Sequence, residues 1–119
     1  MCLDEHLFDS FVPRLKRHGR HKVSPARYGV ADVTVLRSAD GILITRDRGF
    51  DDARRFPPGT HKGIVVIAVS GGDVKRWFSV FLRFLRSGHG SDAEGSIVVL
   101  HDRDFLIRTS DGTQTFRYE

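Results

Sequence analysis

Two short, unbroken apolar runs constrain this chain more than any other feature: Ile42, Leu43 and Ile44 within residues 41–47, and Ile64, Val65, Val66, Ile67, Ala68 and Val69 within residues 63–70. Neither run alternates with polar residues as a half-exposed strand does, so each predicts a strand buried on both faces, the kind found in parallel sheets with both sides covered. The first run stops at Thr45, Arg46 and Asp47; the second stops at Ser70, Gly71 and Gly72. After the second run, Asp73 can cap a helix reaching Arg86, with Val74, Trp77, Phe78, Phe81 and Leu85 facing the core and Phe84 off that face.

The rest of the chain fits around these elements. Residues 1–4 read as the end of a strand, and Leu7, Phe8, Phe11, Val12 and Leu15 then recur at helical spacing up to a C-cap at Gly19. Pro13 leaves two options: a helix beginning near Ser10 with Pro13 in its first turn, or an earlier helix kinked there. Residues 22–28, interrupted by a break at Ser24-Pro25, predict a short extended segment entering a loop that ends at Gly29. Residues 32–39 are β-branched enough for a strand, while Val33, Leu36 and Ala39 also fit one helix face. Residues 48–62, with Pro57, Pro58 and Gly59, read as a loop, and residues 88–95 as another. Residues 97–100, 105–108 and 113–118 predict short strands, with turns at Asp102 and Arg103 and at Asp111 and Gly112. The expected fold is α/β, with a small parallel-centred sheet covered by helices and a C-terminal β-hairpin or meander, in a single domain over residues 1–119.

A chain of 119 residues holds one core. No apolar run approaches the roughly 18 to 20 residues of a membrane span, so no membrane partner is expected. Met1 to Glu5 lacks the basic head and apolar stretch of a signal peptide, which predicts a cytoplasmic location. Cys2 is the sole cysteine, excluding an internal disulfide and a cysteine-based zinc site. The net charge of +4 comes mostly from arginine. Its planar fork suits phosphate, although arginine-rich codon usage gives the same composition.

Ligands of open α/β sheets bind beyond the carboxyl ends of the strands. Two of those ends finish in acids here: Asp4 and Glu5 after Leu3, and Asp47 after Thr45. If the two strands are neighbours, these carboxylates converge, and crowded carboxylates repel unless a divalent cation neutralises them. Oxygen donors suit magnesium or manganese, which can acidify a bound water for attack on a phosphodiester. Helix capping and pairing with Arg46 or Arg48 explain the same acids without a metal. His6 lies beside the acids and could touch substrate, and Arg54 and Arg55 flank the same region. Lys75, Ser79, Arg83 and Arg86 form a stripe opposite the core face of the late helix, which reads first as a solvated face and second as one that grips phosphates. Trp77, Phe78 and Phe81 read as packing, His18 and His21 as surface residues, and residues 70–73 as a connection with a cap.

Taken in order, Leu3-Asp4-Glu5-His6-Leu7, then Asp32 with Val35, Leu36 and Ala39, then Ile42 to Phe50 with its Thr-Arg-Asp-Arg-Gly-Phe, then Pro58-Gly59 and Gly63 to Val66, resemble the PIN-like domains. The likeness spans about Leu3 to Arg108 and is nearest to the small single-domain bacterial branch, similar to VapC-type ribonuclease toxins. It implies a three-layer α/β/α sandwich and a Mg2+- or Mn2+-dependent nuclease acting on RNA. By position, Asp4, Asp32 and Asp47 would be the metal ligands and Glu5 a supporting acid, with Asp32 opening a short helix. Arg46, Arg48 and His6 would meet the substrate. The resemblance also implies an antitoxin protein as partner, and the last strand edge would suit that partner or a second copy in a homodimer. A non-catalytic PIN-like module binding nucleic acid or protein is the alternative. The chain departs from the pattern in its short first strand, in Gly49 where a second acid often stands, with Asp51 and Asp52 displaced beyond Phe50, and in a shortened segment between Gly19 and Asp32.

Overall fold

The computed structural model describes Cys2, Leu3, Leu7, Phe11, Pro13, Arg14, Ser24, Pro25, residues 41–71 and residues 73–118. Its strands are β1 (Cys2–Leu3), β2 (Ser24–Pro25), β3 (Leu43–Thr45), β4 (Ile64–Ile67), β5 (Ile97–Leu100), β6 (Asp104–Thr109) and β7 (Gly112–Arg117). They form one mixed sheet in the order β2-β1-β3-β4-β5-β6-β7. The first five are parallel, and β6 and β7 add an antiparallel hairpin. The two apolar runs are therefore β3 and β4, side by side in the interior, as their composition predicts. Residues 32–39 lie outside the described residues.

Burial on both faces explains the unbroken apolar runs. Ile44, Val65, Ile67, Val98 and Leu100 belong to the core beneath the long helix Val74–Arg86, while Leu43, Ile64, Val66, Ile97 and Val99 pack on the other side against Phe50 and Phe56. Those two rings stack at 5.1 Å between centroids and cover their face from the 3-10 turn Arg48–Asp51 and the loop after it. Leu7 and Phe11 are helical and fully buried against the first cluster. Leu7, three residues before Ser10, is already helical, and Pro13 is helical and exposed.

The long helix begins where the sequence predicts, with the Asp73 carboxylate accepting from the Arg76 amide at 3.2 Å. Its core face differs from the expected one. Phe78, Val80, Phe81 and Phe84 are buried, whereas Val74, Trp77 and Leu85 are only partly so. The face is turned toward Val80 and Phe84 because the β6–β7 hairpin extends the sheet beneath that side. Phe105 of β6 meets Phe84 edge-on at 5.2 Å. Stacking of Phe105 on Phe116 at 5.5 Å continues the aromatic layer into β7.

Gly63, immediately before β4, has φ of +130°, and a Cβ there would collide with the Ala93 carbonyl oxygen. Only glycine fits that approach. The turn before it is held by His61, whose Nδ1 accepts from the Gly63 amide at 3.1 Å while Nε2 lies 3.2 Å from the Phe56 carbonyl oxygen. The neutral ring protonated on Nε2 satisfies both partners, and protonation of Nδ1 removes the first bond.

Phe84→Ala should lower stability by about 3–5 kcal/mol, read from equilibrium urea denaturation. Burial lowers the His61 pKa below its ordinary value, outweighing the Phe56 carbonyl that raises it. The folded state thus disfavours the proton that the unfolded chain accepts. Stability from this residue is present above the ordinary histidine value and is lost as pH falls through the lower folded value. Urea midpoints taken at successive pH values should fall on acidification through that window, and His61→Asn should flatten that part of the profile.

Candidate functional site

The order of the sheet fixes where a ligand can sit. From β1 the chain goes to β2 on one side and returns to β3 on the other, so the strand order reverses between β1 and β3. Beyond the carboxyl ends of such a pair the flanking connections diverge and leave a crevice. Leu3, the last residue of β1, pairs with Ile44, and Thr45 follows as the last residue of β3. The two strand ends singled out in the sequence are therefore neighbours. Asp4, Glu5, His6 and Asp32 themselves lie outside the described residues.

Two successive side-chain turns build the path from β3 to Asp47. The Thr45 hydroxyl, fully buried, accepts from the Asp47 amide at 3.0 Å. Asp47 Oδ1 in turn accepts from the Gly49 amide at 2.9 Å and caps the 3-10 turn Arg48–Asp51. Short polar side chains that bond two residues onward redirect the backbone in this way. Asp47 is exposed and forms no ion pair among the described residues. The two acids beyond Phe50 are engaged elsewhere: Asp51 accepts from Arg108 Nε at 2.8 Å, tying the turn to β6, and Asp52 accepts from the Arg54 amide at 2.9 Å. Among the described residues no group of three or more His, Cys, Asp or Glu could hold a metal ion, and of the expected ligands only Asp47 is a described residue.

Arg46 pairs with no acid among the described residues. Its guanidinium lies 3.8 Å from the centroid of the Trp77 ring, and Nη1 donates to the Val69 carbonyl at 3.3 Å. Burial lowers its pKa from the usual arginine value, and it remains a cation at any physiological pH. Trp77, read from the sequence as core, is half-buried and donates through Nε1 to the Gly71 carbonyl at 2.9 Å. Its indole thus braces both Arg46 and the turn after β4. Arg48, by contrast, is exposed and makes no hydrogen bond among the described residues.

The same edge holds residues that sequence reasoning missed. Arg76 donates through Nε to Asp102 Oδ1 at 3.1 Å, with a second contact from Nη2, and the Ser70 hydroxyl approaches Oδ2 at 3.5 Å. The Arg76 guanidinium holds the Asp102 carboxyl below the usual carboxylate range. Ser70 and Asp102 each follow a buried parallel strand by two or three residues, which is the signal that could have found them. Comparison with family models, with curated proteins and with solved structures finds no match for this chain. Among the described residues, no helix is long and apolar enough to cross a membrane.

The Arg46 and Trp77 side chains should be energetically coupled. A double-mutant cycle of Arg46→Ala and Trp77→Leu, followed by urea denaturation, should give a coupling of about 1 kcal/mol. Additive effects would mean that the stacking contributes nothing to stability.

Proposed function

We propose that the chain is a metal-dependent ribonuclease of PIN-like type, a three-layer α/β/α sandwich acting as the toxin of a toxin-antitoxin pair. The observation that carries this reading is the position of Asp47: exposed, outside any ion pair among the described residues, and just beyond β3 at the reversal of strand order next to β1. Its carboxylate is a hard oxygen donor. One oxygen takes a single backbone N–H, which leaves capacity for Mg2+ or Mn2+. Asp4 and Asp32 would complete the ligand set and Glu5 would support it. A bound ion supplies a water of lowered pKa and neutralises charge on the phosphate oxygens. Arg48, exposed, without a hydrogen bond among the described residues and next to Asp47, would take a phosphate oxygen bidentately. Arg46, held on Trp77, would contribute fixed positive charge, and His6 would meet the substrate. The antitoxin would be a protein that covers this edge. A second copy, if one forms a homodimer, would add along β7, whose Thr113, Gln114 and Thr115 are exposed on the last strand of the sheet.

One observation favours a second reading. Asp47 already serves as the cap of the Arg48–Asp51 turn, which alone accounts for an aspartate in a non-catalytic nucleic-acid or protein-binding module. Asparagine caps as well as aspartate, so Asp47→Asn separates the two roles. In a Mn2+-dependent assay on mixed single-stranded RNA, Asp47→Asn should cut the cleavage rate by at least about a hundredfold with its urea midpoint close to that of the parent. Asp4→Asn should do the same. Absence of cleavage by the parent protein, with no manganese binding by calorimetry, would establish the binding module instead.

A further inference from the structure

We propose that the groove along the outer face of the long helix binds the sugar-phosphate backbone of single-stranded RNA. The groove has a volume of about 380 Å³ and is lined, among the described residues, by Arg14, Lys75, Phe78, Ser79, Leu82, Arg83 and Arg86. That lining holds cations and a hydroxyl but no carboxylate. Lys75, Ser79 and Arg83 succeed one another at four-residue spacing and Arg86 follows three later, so donors recur about once per 5.4 Å turn along about 16 Å of helix. The rise per turn is comparable with the separation of neighbouring phosphates on an extended strand. Arg14 reaches the groove from the N-terminal helical segment, whose Phe11 meets Phe78 edge-on at 5.0 Å. The groove is thus bounded by two elements rather than being one helix surface. Arg83 lies over the Tyr118 ring at 4.7 Å, which fixes its guanidinium.

The floor decides between a polyanion and a protein. Phe78 is only 5% exposed and Leu82 is partly buried, so the described residues of the groove offer few apolar anchors. Protein interfaces draw most of their affinity from buried apolar and aromatic anchors, whereas phosphate backbones are held by spaced cationic donors and hydroxyls. Its Lys75 end is the start of the helix, which follows the carboxyl end of β4 by a short turn. A strand in the groove is therefore led toward the carboxyl edge of the sheet. The choice of RNA as the polymer rests on the nuclease reading above; the backbone site rests on the groove.

Binding of a short fluorescein-labelled oligouridine to the intact protein, measured in EDTA so that no cleavage intervenes, tests this directly. Lys75→Ala and Arg86→Ala should each weaken binding by about fivefold and reduce the slope of log K against log salt by about 0.7, the release expected for one single-strand phosphate contact. Lys62→Ala, an exposed cation outside the groove, should leave both within about twofold of the parent. Thermal midpoints matching the parent's would show that the variants are folded. Equal losses in all three variants would overturn the proposal in favour of diffuse charge, and unchanged RNA binding with weakened binding of a polyglutamate peptide would overturn it in favour of an acidic protein partner. The two proposals can fail separately. Groove-dependent binding without metal-dependent cleavage would remove the nuclease and keep the groove, while cleavage with binding indifferent to Lys75 and Arg86 would do the reverse.

Discussion

Backbone hydrogen bonds between β3, β4 and β5 run through a slab closed to water on both sides, so each amide and carbonyl there must find its partner in the ladder. The register from Leu43 opposite Ile64 to Ile67 opposite Leu100 satisfies that demand, while the apolar side chains require both faces to be covered at once. On one side the cover is the long helix with Leu7 and Phe11; on the other it is the stacked pair of Phe50 and Phe56. This second cover is carried by the same turn that Asp47 caps. The residue proposed for chemistry is thereby tied to the closing of the core.

The interior of the sheet was legible because composition alone specifies it. Val, Ile and Leu in short unbroken runs suit a pleated surface buried on both sides, and the start of the long helix was legible because an aspartate cap is a local signal read from a few residues. What could not be read depends on partners distant in sequence. Phe84 looks peripheral until the hairpin brings Phe105 beneath it, and periodicity within one helix carries no information about how far the sheet extends. The face of a helix is set by what lies opposite.

The candidate site divides along the same line. Thr45, Asp47 and Gly49 form their turns through bonds spanning two residues, so a Thr-x-Asp sequence announces its geometry. The engagement of Asp51 by Arg108 joins residues 57 apart in sequence and has no local sign. Arg46 on Trp77 is equally non-local. The sequence groups Arg46 with Arg48 as two cations flanking an acid, yet the structure gives one to an indole and leaves the other exposed.

That difference has a physical consequence for binding. A side chain as long as arginine loses considerable rotamer freedom when a ligand immobilises it. Arg46 has already been immobilised by Trp77 and the Val69 carbonyl during folding, so its charge is presented at fixed geometry and is screened less than a fully solvated one. Arg48 gives up its freedom only when something binds, in return for a stronger, better-aimed contact. On the reading proposed above, fixed charge near the sheet would attract anions and Arg48, exposed beside Asp47, would orient them. Because Trp77 belongs to the helix that also carries Lys75 and Arg86, the fixed charge and the basic groove are joined through one rigid element. Docking of that helix on the sheet therefore places both together.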